Sequence, residues 1–120
     1  MVRNKFGNKK VIYQGIKFDS VKERDRYIEL ELLQRTGKIS DLRMQVKYEL
    51  IPAQYENGKC VERACIYYAD FDYYENQDNS CVHIVEDVKG YRDPQSAAYA
   101  KFVIKRKLMR YIHGIAVREV

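Results

Sequence analysis

The sequence predicts a single α/β domain in which a mixed, mainly antiparallel sheet is flanked by two helices. Three observations carry that expectation. The chain has 120 residues, 46 % of them hydrophobic, which suits one compact core. Two segments, 20–35 and 94–112, combine helix-spaced apolar residues with start and stop signals. Between them lie three stretches rich in β-branched and aromatic residues, separated by turn-forming residues.

The elements follow in order. Residues 1–10 are polar and basic without periodicity and are expected to form a loose tail, leaving 11–120 as the domain. Residues 11–18 alternate in character, with a turn at Gly15. Ser20 is suited to cap a helix, and Glu23 three residues later completes a capping box. Val21, Ile28 and Leu32 form one apolar stripe on this helix, with Tyr27, Leu30 and Leu33 beside it. Gly37 fits the position just past its end. Residues 42–55 read as a strand, and Pro52 assigns its second half to an edge or a bulge. Asn57-Gly58 is a type I′ hairpin signal, since both turn residues need positive φ. Residues 61–74 form a second strand, 76–80 a polar turn, and 81–89 a third strand ended by Gly90. An antiparallel meander is expected. Asp93 is placed to cap the second helix, with Pro94 in its first turn and Gly114 at its end. Residues 115–120 form a last short strand.

Charge narrows the function classes. A formal net charge of +5, with a sequence pI of about 9.1, favours polyanions such as nucleic acid or an anionic membrane surface. No window is apolar for long enough to span a bilayer, and no apolar run follows the basic start as in a secretory signal. Cys60, Cys65 and Cys81 cannot all pair with one another, so free thiols in a cytoplasmic setting are expected.

The candidate chemistry lies in the second and third strands. Side chains alternate along a strand, so Val85, Asp87 and Lys89 share one face, and Ile84, Glu86 and Val88 the other. Asp70 interrupts an apolar stretch from Ile66 to Phe71, where a carboxylate is costly unless paired or holding a metal. Pairing of the two strands brings Asp70 near Asp87 or Lys89. Glu23, four and seven residues before Tyr27 and Leu30, borders the buried face of the first helix and can reach the same spot. Clustered carboxylate oxygens suit Mg²⁺ or Mn²⁺. Each residue also has a plainer role. Glu23 can serve the helix cap, Asp87 and Lys89 an ordinary ion pair, and Asp70 a strand rim.

The order Ala69-Asp70 followed by Asp87-Val88-Lys89 resembles the PD-(D/E)xK nuclease signature. More closely, three stretches resemble small phage-encoded, Holliday-junction-resolvase-like members of that superfamily. They are Gly15-Ile16-Lys17-Phe18-Asp19-Ser20 running into Lys22-Glu23, then Tyr68-Ala69-Asp70-Phe71, then Val85-Glu86-Asp87-Val88-Lys89-Gly90. Ala69 stands where the signature's name has proline. The resemblance covers nearly all of the chain after residue 10. It implies a restriction-endonuclease-like αβββαβ core and a metal-dependent endonuclease acting on DNA, with branched DNA such as Holliday junctions as substrate. It also implies Asp70, Asp87 and Glu23 as ligands of Mg²⁺ or Mn²⁺, Lys89 beside the water and phosphate, and Gln45 as a polar support. Paired cuts at a junction imply a homodimer. Glu86, facing away from Asp87 and Lys89, is a decoy unless a strand bulge reverses the alternation.

Lys101, Lys105 and Arg106 on the second helix, with Lys9 and Lys10 in the tail beside Arg3 and Lys5, are candidate phosphate contacts. The alternative for the helix is a solvated face opposite Phe102, Leu108, Met109 and Ile112. The eleven tyrosines suit half-buried packing in strands better than base stacking. Structural zinc is disfavoured because Cys60 and Cys65 point to opposite strand faces and no Cys-x₂-Cys pair exists. A DNA-binding module without catalysis is the competing function class.

Overall fold

The computed structural model describes residues 10–90 and 92–120. Its elements are β1 (Val11–Tyr13), β2 (Ile16–Phe18), α1 (Val21–Arg35), β3 (Ile39–Ile51), β4 (Gln54–Glu56), β5 (Lys59–Glu62), β6 (Cys65–Gln77), β7 (Ser80–Asp87), α2 (Ala97–His113) and β8 (Arg118–Glu119). The main sheet has the order β3-β6-β7-β8. Its first three strands are antiparallel, and β8 joins parallel to β7. The domain is thus mixed α/β with a mainly antiparallel sheet and two helices, as the sequence predicts.

Local signals explain most boundaries. The Ser20 hydroxyl accepts the Glu23 amide at 3.1 Å, and Gly37 at φ +82° follows the last turn of α1. Asn57 and Gly58 both take positive φ and close the β4–β5 hairpin. Pro52 divides what the sequence suggests is one strand into β3 and β4, and residues 63–64 likewise separate β5 from β6. The start of α2 differs from expectation. Asp93 caps a turn, its carboxylate accepting the Gln95 amide at 2.9 Å, and the helix begins after Ser96, whose hydroxyl accepts the Tyr99 amide. The side chain of Asp93 is used two residues on, so the next hydroxyl becomes the cap.

The two helices cover different faces of the sheet. Leu30 of α1 packs with Ile39, Phe71, Tyr73 and Ile84, while Phe102 and Met109 of α2 pack with Leu50, Tyr67, Ala69, Val85 and Val117. Ile84 and Val85 are neighbours in β7 and fall in different clusters, as strict alternation requires. Strand β6 breaks that rule. Tyr67 and Ala69 join the α2 cluster, yet Phe71 and Tyr73, of the same parity, join the α1 cluster. The strand therefore changes sides at Asp70. Register places Gln45 opposite, between the pairs Met44↔Phe71 and Val46↔Ala69, and Gln45 has φ +50°. A residue in that left-handed conformation reorients the strand locally, much as a bulge does.

The apolar stripe expected on α1 is corrected. Val21, Ile28 and Leu32 are exposed, and the inward line is Glu23, Tyr27 and Leu30. The reason is Glu23 itself, whose carboxylate is drawn into a polar site on the sheet. On α2, Phe102 and Met109 are buried and Leu108 half-buried as expected, but Ile112 is exposed.

Candidate active site

Strand register fixes the first pair of acids. Phe71 lies opposite Glu86 across β6 and β7, so the next row places Asp70 opposite Asp87. At that point β7 ends and the chain departs through Val88, Lys89 and Gly90. The N-terminus of α1 arrives over the same row. A cavity of about 460 Å³ results, lined by Asp19, Ser20, Val21, Lys22, Glu23, Asp70, Asp87, Val88, Lys89 and Gly90.

The side chains interlock. The Gln45 amide donates to Glu23 Oε1 and to Asp70 Oδ1, both at 3.1 Å. The second Asp70 oxygen accepts the Val88 backbone N–H at 2.8 Å. Asp87 Oδ1 meets the Lys89 ammonium at 2.8 Å, and Oδ2 accepts the Tyr67 hydroxyl at 2.6 Å. The same ammonium sits 3.6 Å from the centre of the Phe102 ring. Lys22 donates to the Lys89 carbonyl, tying the start of α1 to the chain leaving β7.

Charge is crowded here. Burial pushes the Glu23 carboxyl up to about 7, and the charges of Asp70 and Asp19 push the same way. Asp70 rises to about 6, through burial first and the Asp87 charge second, against the pull of the Val88 N–H, Gln45 and Lys89. Like charges in a partly dry site disfavour ionisation, and a bound cation relieves that cost. Among the described residues, no three His, Cys, Asp or Glu side chains stand as a ready ligand set for a metal ion. Each carboxylate is turned to a protein partner instead. What would suit Mg²⁺ or Mn²⁺ is the donor chemistry alone, three carboxylates lining one cavity with repulsion to be neutralised.

These shifts set a pH dependence for the metal-free protein. Both carboxyls hold their protons more tightly folded than unfolded, so the penalty for charging them is absent below about pH 4 and fully felt above about pH 7. Stability should fall across that window as pH rises, by about 1–3 kcal/mol, since one pKa unit corresponds to about 1.4 kcal/mol. Thermal melts in EDTA between pH 4.5 and 7.5 should show the decline, and millimolar Mg²⁺ should reverse it at pH 7.5. A flat profile would contradict the crowding.

The residues expected from sequence are brought together in the cases of Glu23, Asp70, Asp87, Lys89 and Gln45. Glu86 points away as expected. Fully buried, it is bound by Arg26 at 2.8 and 2.6 Å and by the Tyr73 hydroxyl. The basic residues of α2 fare differently. Lys101 is exposed, but Lys105 donates to the Ile66 carbonyl at 2.9 Å and Arg106 pairs with Glu119 at 3.0 Å. Two of the three are thus engaged within the chain. Lys10 is exposed, while Lys9, Arg3 and Lys5 lie outside the described residues.

Tyr67, Lys22 and Asp72 gain roles that the sequence alone does not assign them. Asp72 is wholly buried, accepting from Arg43 at 2.8 Å and from Tyr48, with the His83 ring nitrogen 2.8 Å away. Burial acts to raise its pKa, but bonds from Tyr48, His83 and Arg43 outweigh it and hold the carboxyl low. Its signal was its position two residues beyond Asp70 in another apolar stretch. Cys60 and Cys81 are exposed and bond the Glu62 carbonyl and the Asn76 side chain, while His83 serves Asp72.

Comparison with known proteins places the chain in one family. Residues 3–116 match the family described as "Protein of unknown function (DUF1064)", and the chain belongs to it. No curated protein and no solved structure matches the chain.

Proposed function

We propose that this member of a family of unknown function is a metal-dependent endonuclease that hydrolyses phosphodiester bonds in DNA. One observation carries the reading: Asp70 and Asp87 face each other across adjacent strands, with Glu23 and Lys89 on the same cavity. Three buried or half-buried acids around a lysine form a poor arrangement for stability alone and a suitable one for holding a cation against phosphate. With the β1–β2 and β4–β5 hairpins set aside, the order α1, three strands of the main sheet, α2 and β8 supports a core of the PD-(D/E)xK kind, whose signature the Asp70 and Asp87-Val88-Lys89 motifs resemble.

Asp70, Asp87 and Glu23 hold Mg²⁺ or Mn²⁺, and Gln45 keeps Glu23 and Asp70 side by side. The ion, when bound, supplies a more acidic water and neutralises charge on the phosphodiester. Lys89 presents its ammonium to the attacking water and the phosphate, with Asp87 and Phe102 limiting its motion. Lys22, on the cavity wall and held by the Lys89 carbonyl, adds positive potential at the site without a direct phosphate contact. Lys101 and Lys10 remain available to neighbouring phosphates. The substrate is branched DNA, and a homodimer working in the cytoplasm of its host cell makes the paired cuts. Among the described residues no helix is long and apolar enough to cross a membrane.

The test is a gel assay with end-labelled four-way junction, flap, nicked and linear duplex DNA. Cleavage is expected with Mg²⁺ or Mn²⁺ and not with EDTA, and Lys89→Ala should slow it about 10²-fold. Binding without cleavage under either metal would point to a non-catalytic DNA-binding module. No binding at all would remove DNA as the partner.

A further inference from the structure

Among the described residues, Tyr73 and Tyr67 are buried tyrosines that each donate to a buried carboxylate, one on each face of the sheet. Tyr73 donates to Glu86 on the α1 side, where Arg26 completes a closed network. Tyr67 donates to Asp87 Oδ2 at 2.6 Å on the α2 side, and that carboxylate opens onto the cavity. The environments differ although the bonds are alike. Glu86 is fully buried with its charge answered by a guanidinium. Asp87 faces Asp70, and its other oxygen is shared with Lys89.

We infer that Tyr67 is a positioning residue for the metal ligand Asp87, fixing its carboxylate plane so that the cavity-facing lone pairs are aimed at a divalent cation. The inference rests on the reading of the site given above. Tyr67 is anchored for this purpose. Its ring lies in the α2 core cluster, 6.3 Å from that of Phe102, the ring that also carries the Lys89 ammonium. The change of sides at Asp70 makes this possible. Tyr67 and Asp70 differ in parity, yet Tyr67 reaches the α2 face that Asp87 shares with Val85. A carboxylate oxygen has two lone pairs, so accepting the hydroxyl leaves capacity for an ion. Groups that orient a ligating side chain in this way typically change metal affinity ten- to a hundred-fold when removed.

The experiment measures Mn²⁺ binding through the room-temperature paramagnetic resonance signal of the free ion, without DNA and independently of turnover. Tyr67→Phe should weaken binding by about ten-fold or more. Tyr73→Phe, which removes an equally buried hydroxyl–carboxylate bond, should leave it within about two-fold. If Tyr67→Phe does not fold, Tyr67→Met fills similar volume without a hydroxyl and carries the same expectation. Equal affinity in the wild type and the Tyr67 variant overturns the assignment. So does an equal loss in Tyr73→Phe, which would mean a general structural effect. If the wild type binds no Mn²⁺ at millimolar concentration, the metal-site reading fails first and this inference falls with it. Those two failures are told apart by the wild-type titration alone.

Discussion

Asp70→Asn is expected to cut metal-dependent DNA cleavage by about 10³-fold or more, and in the same molecule to raise the stability of the metal-free fold. The first effect follows from losing an anionic ligand, since about 4 kcal/mol of transition-state stabilisation corresponds to three decades in rate. The second follows from the crowding. Asp70 is half-buried, hydrogen-bonded to Gln45 and set against Asp87, with its pKa raised to about 6. An amide keeps the acceptor for the Val88 N–H at 2.8 Å and removes a charge that its neighbours oppose, while its NH₂ displaces the Gln45 amide from its bond to this side chain, so the gain is net of that lost bond. Above pH 7 the gain should be about 1–3 kcal/mol, taken as one or two pKa units. Melts of both proteins in EDTA at pH 8, beside cleavage rates in Mg²⁺, decide the matter. A variant both inactive and less stable would indicate an ordinary structural carboxylate. An active one would remove Asp70 from the chemistry. The trade of stability against activity is common at catalytic sites.

The second large effect lies one residue from the site and on the other face. Glu86→Ala should destabilise the fold by about 3–5 kcal/mol, because it leaves Arg26 without its buried partner and Tyr73 without an acceptor. Against a typical total of about 5–15 kcal/mol, a protein so altered is close to unfolding. Glu86→Gln keeps an acceptor for Tyr73 and should cost less. Folded Glu86→Gln should retain Mn²⁺ affinity, since Glu86 faces α1 and not the cavity. Urea unfolding checks the first claim and an Mn²⁺ titration the second. Loss of metal binding in folded Glu86→Gln would mean that the two faces had been assigned in the wrong sense.

The contrast between Glu86 and Asp87 was legible because alternation in β7 is regular, so residue order alone sends the two carboxylates to opposite faces. The helix caps at Ser20 and Gly37 and the Asn57-Gly58 turn were legible for a similar reason, since short-range chemistry decides them. What escaped was non-local. Nothing in the Gln45 side chain announces φ +50°, because left-handed backbone is ordinarily the province of glycine and asparagine. The reversal at Asp70, and with it the partnership of Tyr67 and Asp87, depends on that conformation. The stripe of Val21, Ile28 and Leu32 faces solvent because a stripe rule counts apolar residues, whereas the inward line is the one that Glu23 borders with Tyr27 and Leu30. The phosphate roles given to Lys105 and Arg106 met a similar limit, since charge in a sequence does not reveal whether a neighbouring carbonyl or carboxylate already holds it.

The change of sides in β6 has a bearing on cooperativity. One strand supplies rings to both cores, Tyr67 to the one beneath α2 and Phe71 and Tyr73 to the one beneath α1. Neither core can melt without fraying the strand that the other relies on. Asp70 sits at the joint, so fraying from either side should loosen its pairing with Asp87, and amide exchange at Phe71 should be among the slowest in the sheet; fast exchange there would mean that the two cores open independently.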